Sequence, residues 1–238
     1  MKDNLRDYFV EGLKIIDIEI NSDTVDRLMK YADLLIETNK HTNLTAIRDE
    51  KDLIEKHFLD SMLVQKLIRE DMKSAMDIGT GAGFPGMVLA ICNPGIKFTL
   101  MDSVGKKTKF LEMVAEELGL TNVEVVNERA EEYIKKDDKR ENYDLGLCRG
   151  VSKLNVILEY MVPFLKVEGD FFALKMEGTG EELEAENALK VLSTEIVSTE
   201  VFNLPYCKDI RHVVKLKKKD QTDSKYPRRT GIPLKRPL

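Results

Sequence analysis

Three cysteines and three histidines are few for 238 residues. The cysteines (Cys92, Cys148 and Cys207) are scattered, with no zinc-site spacing and no even set of disulfides. Buried thiols in a reducing cytoplasm are therefore expected. His41 and His212 have no partnered ligands, and no metal is expected. No stretch is long and apolar enough to cross a bilayer, and the charged start Met1-Lys2-Asp3-Asn4-Leu5-Arg6 lacks the apolar core of a signal peptide. Internal repeats and low-complexity linkers are also missing. What remains has 42% apolar and 33% charged residues, the balance of a soluble globular protein. Its length suits one large domain, or one domain with an elaborated end.

An overall positive charge is lacking too. The formal net charge is −5, which as an average argues against nucleic acid. The average hides an asymmetry. Residues 208–238 hold 11 Lys and Arg against 3 Asp, or +8, leaving 26 of the 37 basic and 39 of the 42 acidic residues, or −13, to residues 1–207. A basic end on an acidic body binds polyanions locally. Lys217-Lys218-Lys219 alone reads as a solvated tail. The ordered-looking Tyr226-Pro227-Arg228-Arg229 and Gly231-Ile232-Pro233 do not.

The apolar residues Leu5, Phe9, Leu13, Ile16 and Ile20 recur at helical spacing, as do Val25, Leu28, Met29, Ala32, Leu35 and Ile36 after the N-cap residues Asn21-Ser22-Asp23. A third helix is expected through Leu53, Ile54, His57, Phe58 and Met62. From residue 72 the pattern alternates. Strand-like runs are Ser74–Ile78, Lys97–Met101, Val123–Asn127, Tyr143–Cys148, Asp170–Lys175, Glu195–Phe202 and Val213–Lys217. Helix-like runs (Met87–Ile91, Lys106–Leu118, Ala130–Lys136, Lys153–Leu165 and Glu181–Leu192) intervene, and Gly169 is expected to mark the turn into the fifth strand. Alternation implies an α/β fold with a parallel sheet covered on both faces. The last two strands, joined by a short link, should pair antiparallel. Residues 1–65 read as an N-terminal helical cap and residues 66–238 as the sheet domain carrying the basic tail 208–238, together one compact unit.

The centre of this arrangement is Met76-Asp77-Ile78-Gly79-Thr80-Gly81-Ala82-Gly83-Phe84-Pro85-Gly86, a strand, a glycine turn and a helix start with Pro85 suited to its first turn. Glycines let a ligand lie against bare main chain, so a nucleotide-type cofactor is indicated. Gly81 to Gly86 satisfies the dinucleotide pattern G-x-G-x-x-G, a weak signal by itself. Asp77 points elsewhere, because a carboxylate there repels a pyrophosphate but attracts ammonium and sulfonium groups. Asp102, ending the next strand, suits ribose hydroxyls of either cofactor. Together these residues favour S-adenosylmethionine over NAD.

The motif Asp77-x-Gly79-x-Gly81-x-Gly83-x-Pro85-Gly86 comes with His57-Phe58-Leu59-Asp60-Ser61 upstream and Lys225-Tyr226-Pro227-Arg228-Arg229-x-Gly231-Ile232-Pro233 downstream. In this combination the chain resembles the RsmG family, bacterial guanine-N7 methyltransferases of small-subunit (16S) ribosomal RNA, also called glucose-inhibited division protein B. The resemblance runs from Asn43-Leu44-Thr45-Ala46-Ile47 to the tail. It implies a class I (Rossmann-like) methyltransferase fold with a seven-stranded, mostly parallel sheet behind an N-terminal helical extension. It further implies S-adenosyl-L-methionine as cofactor, ribosomal RNA or a ribosomal subunit as partner, a cytoplasmic setting and a monomer.

The cofactor-binding residues are then expected to be Asp77, Gly79, Gly81, Gly83, Phe84, Asp102 and, by the resemblance, Ala130 and Glu131 beside the adenine. Glu131 reads equally well as a first-turn acid favoured by the helix dipole. Arg149, after the fourth strand, matches a cofactor-contacting position and is the expected catalytic residue, facing both cofactor and base. Lys175 ends the fifth strand as an RNA-facing residue. Arg211, Lys225, Arg228 and Arg229 are expected on phosphates, with Tyr226 stacked on a base or packed beneath them. His57, Asp60 and Ser61 fall within about one helical turn and have no oxyanion hole, so they make no hydrolytic triad; His57 is expected to border the cofactor cleft. No general base stands out, which suits an acceptor nitrogen that carries no proton. An oxidoreductase using NAD(P) and a non-catalytic RNA-binding module remain as alternatives.

Overall fold

The computed structural model describes residues 2–136, 138–176 and 180–238. Its N-terminal third is helical because its apolar residues repeat at helical spacing and its polar residues cap. The Asn21 side chain accepts the Thr24 amide at 2.8 Å, starting α2 (Ser22–Thr42) after α1 (Lys2–Ile15). Val25, Leu28, Tyr31, Ala32 and Leu35 form the buried stripe of α2. α3 (Glu50–Leu53) runs on through a π-helical turn (Ile54–Leu59) into α4 (Asp60–Leu63).

The sheet consists of β1 (Ser74–Ile78), β2 (Lys97–Met101), β3 (Val123–Val126), β4 (Tyr143–Arg149), β5 (Leu165–Met176), β6 (Thr194–Asn203) and β7 (Ile210–Lys218), in the order β3-β2-β1-β4-β5-β7-β6. β1 to β5 are parallel, and β7 runs antiparallel between β5 and β6. The connecting helices are α5 (Gly86–Cys92), α6 (Gly105–Glu117), α7 (Ala130–Tyr133), α8 (Leu154–Met161), α9 (Glu181–Glu184) and α10 (Glu186–Val191), with α11 (Ile232–Lys235) near the end.

Three expectations shift. Gly169 lies inside β5, which starts at Leu165 and bends, its register with β4 slipping between Tyr143 and Leu145. The run Lys153–Leu165 stops being α-helical at Met161, because Pro163 forces a 3-10 turn over Val162–Phe164. Glu181–Leu192 divides at Ala185.

Apolar residues form two cores, one on each face of the sheet. The first joins Phe9, Leu13, Tyr31, Leu35 and Phe58 of the N-terminal helices to α5 and α6. The second gathers α7, α8, α10 and Tyr226 of the tail. Strand order reverses about β1, with β2 on one side and β4 on the other, so the crevice for a ligand opens at the carboxyl ends of β1 and β4.

Candidate active site

Two clefts open there, meeting at Gly150 and Val151. The first, of about 310 Å³, runs from Gly79 and Asp102 past Lys107 to Arg129, Ala130, Glu131 and Tyr160. Asp102 is held rigidly. Its Oδ1 accepts the Val104 amide at 2.8 Å and its Oδ2 the Gly81 amide at 3.0 Å, with Lys107 Nζ 3.6 Å away. Gly79 has φ 70°, and a Cβ there would run into Val151, so the backbone stays bare where the two clefts join. Ala130 and Glu131, expected beside the adenine, line the cleft, and Glu131 Oε1 accepts the amide of Gly231 from the tail at 3.1 Å.

The glycine turn faces two ways. Gly79 lines the cleft, whereas Gly83, Phe84 and Asp77, all three expected at the cofactor, are buried beneath it. A Cβ at Gly83 would strike Tyr31 and Leu111. Phe84 is 3% exposed, lying flat against His57 at 4.5 Å and Tyr31 at 5.5 Å, and the Tyr31 hydroxyl donates to the Ala82 carbonyl. Asp77 is fully buried beneath the turn, its Oδ2 accepting the Gly86 amide at 2.8 Å. Burial pushes its pKa up to about 6, against the pull of the nearby Thr80 hydroxyl, the Gly86 amide and Arg149. The Thr80 hydroxyl lies close but short of hydrogen-bond geometry, and Oδ1 has no partner among the described residues. Asp77 thus braces the loop from below.

The second cleft, of about 620 Å³, is lined by Asp60, Arg149, Lys175, Arg211 and His212, with apolar Ile47, Leu63, Leu174 and Met176. Arg149 leaves the end of β4 toward the N-terminal helices. Its Nη1 donates to the Lys56 carbonyl at 3.1 Å and to Asp60 Oδ2 at 2.9 Å, and its Nη2 bonds His57 Nδ1 at 2.9 Å. The π-helical turn creates this site. The Asp60 amide reaches back to Glu55 and His57 and skips Lys56, whose carbonyl Arg149 takes.

A guanidinium only donates, so His57 Nδ1 accepts and its Nε2 proton points to Thr45 Oγ1 at 2.8 Å. Burial first and the Arg149 charge second pull the His57 pKa down to about 3, so the ring stays neutral. Asp60 also takes Arg211 Nε at 3.4 Å, while Lys175 Nζ meets Glu181 Oε2 at 2.6 Å and the Ser152 carbonyl at 2.8 Å. Arg149, expected to face both cofactor and base, lines the second cleft next to Gly150, where the clefts join, and His57 stands behind it.

The basic tail divides as well. Arg228, expected on a phosphate, grips Glu159, a fully buried acid on α8, with Nη2 to Oε2 at 2.6 Å, Nε to Oε1 at 2.9 Å and its own amide to Oε1 at 2.7 Å. Tyr226 is 9% exposed and belongs to the second core, so of its two expected positions it takes the packed one. Lys225 is exposed, paired with Asp223 at 2.9 Å and lying over the Tyr226 ring. Arg229 is exposed.

The sequence reading missed Glu159, Glu181 and the bridging role of Asp60. Glu159 had left a trace: an acid inside the apolar run Leu154-Asn155-Val156-Ile157-Leu158-Glu159-Tyr160-Met161 requires a buried partner.

The chain is similar to known proteins over nearly its whole length. A family model described as rRNA small subunit methyltransferase G matches residues 24–214. A protein named ribosomal RNA small subunit methyltransferase G from Fusobacterium nucleatum subsp. nucleatum is 56% identical, covering 98% of this chain and all of its own length. One of the same name from Alkaliphilus oremlandii is 45% identical over 98% of this chain and 99% of its own. Among solved structures, a SAM-dependent methyltransferase from Aquifex aeolicus superposes with a TM-score of 0.55 at 17% identity, covering 74% of this chain and 97% of that one, a likeness of fold.

Proposed function

The chain belongs to the rRNA small subunit methyltransferase G family, and from that premise we propose that it transfers a methyl group from S-adenosylmethionine to N7 of a guanine in the decoding region of small-subunit ribosomal RNA, working in the cytoplasm. The observation that carries this reading is the pair of clefts joined at Gly150–Val151, one with bare backbone and more acids than cations in its wall, the other with more cations than acids.

The first cleft suits the cofactor. Each Asp102 oxygen accepts one backbone amide and keeps acceptor capacity for a ribose hydroxyl, and Ala130 and Glu131 close the far side. Asp102, Glu128 and Glu131 outnumber Lys107 and Arg129 in the wall of this cleft, a balance that favours a cationic ligand over a pyrophosphate. When bound, the cofactor supplies an electrophilic methyl group on a sulfonium.

The second cleft suits a base whose reacting atom must stay unprotonated. N7 of guanine carries a lone pair and no proton, so no general base is required, and alignment and electrostatics set the rate. The acids in this cleft are committed to cations: Asp60 to Arg149 and Arg211, Asp209 to Arg211, and Glu181 to Lys175. Arg149 would block N7 if it donated to it. The Lys56 carbonyl, Asp60 and His57 hold it back, leaving it to orient the base through its carbonyl oxygen, while the positive charge that passes from sulfur to the base faces the carboxylate of Asp60. The deep, narrow groove of an A-form helix hides N7, so the target is a loop or an unstacked guanine.

The test incubates the protein with S-adenosylmethionine and small subunits from a strain lacking it, then maps N7-methylguanine by reduction, aniline cleavage and primer extension. One new stop is expected. Arg149→Ala should lower its rate at least about 100-fold, the scale of misplacing the reacting base, with RNA affinity nearly unchanged. Methyl label on a ribose or a carbon would refute the acceptor, and RNA binding without turnover would favour the non-catalytic module.

A further inference from the structure

Glu131 sits in the wall of the first cleft and is 4% exposed. Only its Oε1 is engaged, by the Gly231 amide; among the described residues no group bonds Oε2. Gly231 belongs to a segment with no covalent neighbour in the cleft, so something must bring it there. Three contacts do. Arg228 clamps the buried Glu159 side chain with its guanidinium and amide, and reaches the Arg236 carbonyl at 2.7 Å. The Thr230 hydroxyl bonds Glu132 Oε1 at 2.6 Å. Upstream, Arg140 holds the carbonyls of Thr222, Asp223 and Tyr226 at 2.8–3.1 Å.

We propose that residues 228–231 are a positioning element of the cofactor cleft: Arg228, anchored on Glu159, sets the Gly231 amide on one oxygen of Glu131 so that the other presents a fixed acceptor to the adenosine end of the cofactor. This rests on the reading of the first cleft given above. Arg228 therefore acts on cofactor affinity through Glu131, and the two adjacent arginines of the tail divide the labour, Arg228 inward and Arg229 outward. The carboxylate is pre-oriented in the way a second layer of hydrogen bonds orients any binding group.

The test measures affinity for S-adenosylhomocysteine, the demethylated product, by calorimetry on the full chain. Arg228→Ala is expected to weaken binding about tenfold, the weight of one charge-assisted hydrogen bond, while Arg229→Ala leaves it unchanged. Because Arg228→Ala strands a buried carboxylate, the double change Glu159→Leu with Arg228→Leu removes both charges and should show the same loss in a folded protein. Glu131→Ala should weaken binding to a similar degree, and adding the leucine pair to it should cost nothing more. Unchanged affinity in the leucine pair, or losses that add in the Glu131→Ala background, would overturn the proposal. Failure of the wild-type protein to bind S-adenosylhomocysteine would overturn the reading of the cleft itself.

Discussion

The two ends of the chain both close on the site, and they do so by different physics. The N-terminal end is a stack of rings: Phe84 of the glycine turn lies against His57, with Tyr31 behind it, inside the first core. The C-terminal end is a set of ion pairs and directed hydrogen bonds, Arg228 on Glu159 and Gly231 on Glu131. Charge along the sequence suggests the opposite division of interest, with the basic end free for a polyanion and the acidic, helical start mere covering. Location in the fold decides otherwise. A cation next to a fully buried acid is committed to it, and an apolar ring under a glycine turn controls where that turn can sit.

The largest effect that would break this comparison is on stability. Phe84→Ala removes a buried ring that three aromatic neighbours enclose, and should destabilise the protein by about 3–5 kcal/mol. Urea unfolding checks it; a loss under about 1 kcal/mol would mean that the stack does not hold the turn.

A middle-sized effect lies in pH, because the apolar end is where burial perturbs titration. Asp77 titrates near pH 6 when folded against a usual 3.8, so between those values the folded state holds the extra proton and this contribution weakens as pH rises. His57 does the reverse. Folded, it stays neutral down to about pH 3, whereas the unfolded chain protonates below about 6.5, so this contribution weakens as pH falls. Between pH 6 and 4 the two slopes oppose. Asp77→Asn keeps the shape and removes one of them, so relative to wild type it should lose about 2–3 kcal/mol on going from pH 6.5 to 4. Melting temperatures of the two proteins across that range should diverge; parallel profiles would contradict the assignment.

The smallest effect sharpens the other side. Arg229→Ala should lower the slope of log affinity against log salt for RNA by about 0.7–0.9, one phosphate contact, with stability unchanged. A drop in stability instead would place Arg229 with Arg228 in the fold.

Much of the fold was legible because it rests on periodicity and turn chemistry. All seven strands, the antiparallel final pair and the cleft at the ends of β1 and β4 follow from alternating apolar runs and the glycine turn. Asp102, Ala130 and Glu131 could be placed because they follow strands directly. Side-chain direction was not legible. Asp77, Gly83 and Phe84 sit in a motif that reads as ligand-facing, yet they lie on the inner side of a turn that reverses over six residues. Arg228 and Arg229 are neighbours of identical chemistry, and only the presence of Glu159, far away in sequence, separates them. The π-helical turn left no compositional mark, since Ile54–Leu59 has the spacing of an ordinary helix.

That turn makes chain length, more than residue identity, the sensitive variable in this segment. It holds one residue more than regular α-helical winding would place there, and the surplus is what leaves the Lys56 carbonyl to Arg149. Deleting a single residue between 54 and 59 would let the backbone close up as α-helix with its flanking turns in register, and the carbonyl now left to Arg149 would be taken by an amide of the helix. Arg149 would then lose its backbone acceptor and keep only its side-chain partners. Substitutions here alter the furniture of the cleft; a single-codon deletion would alter its geometry.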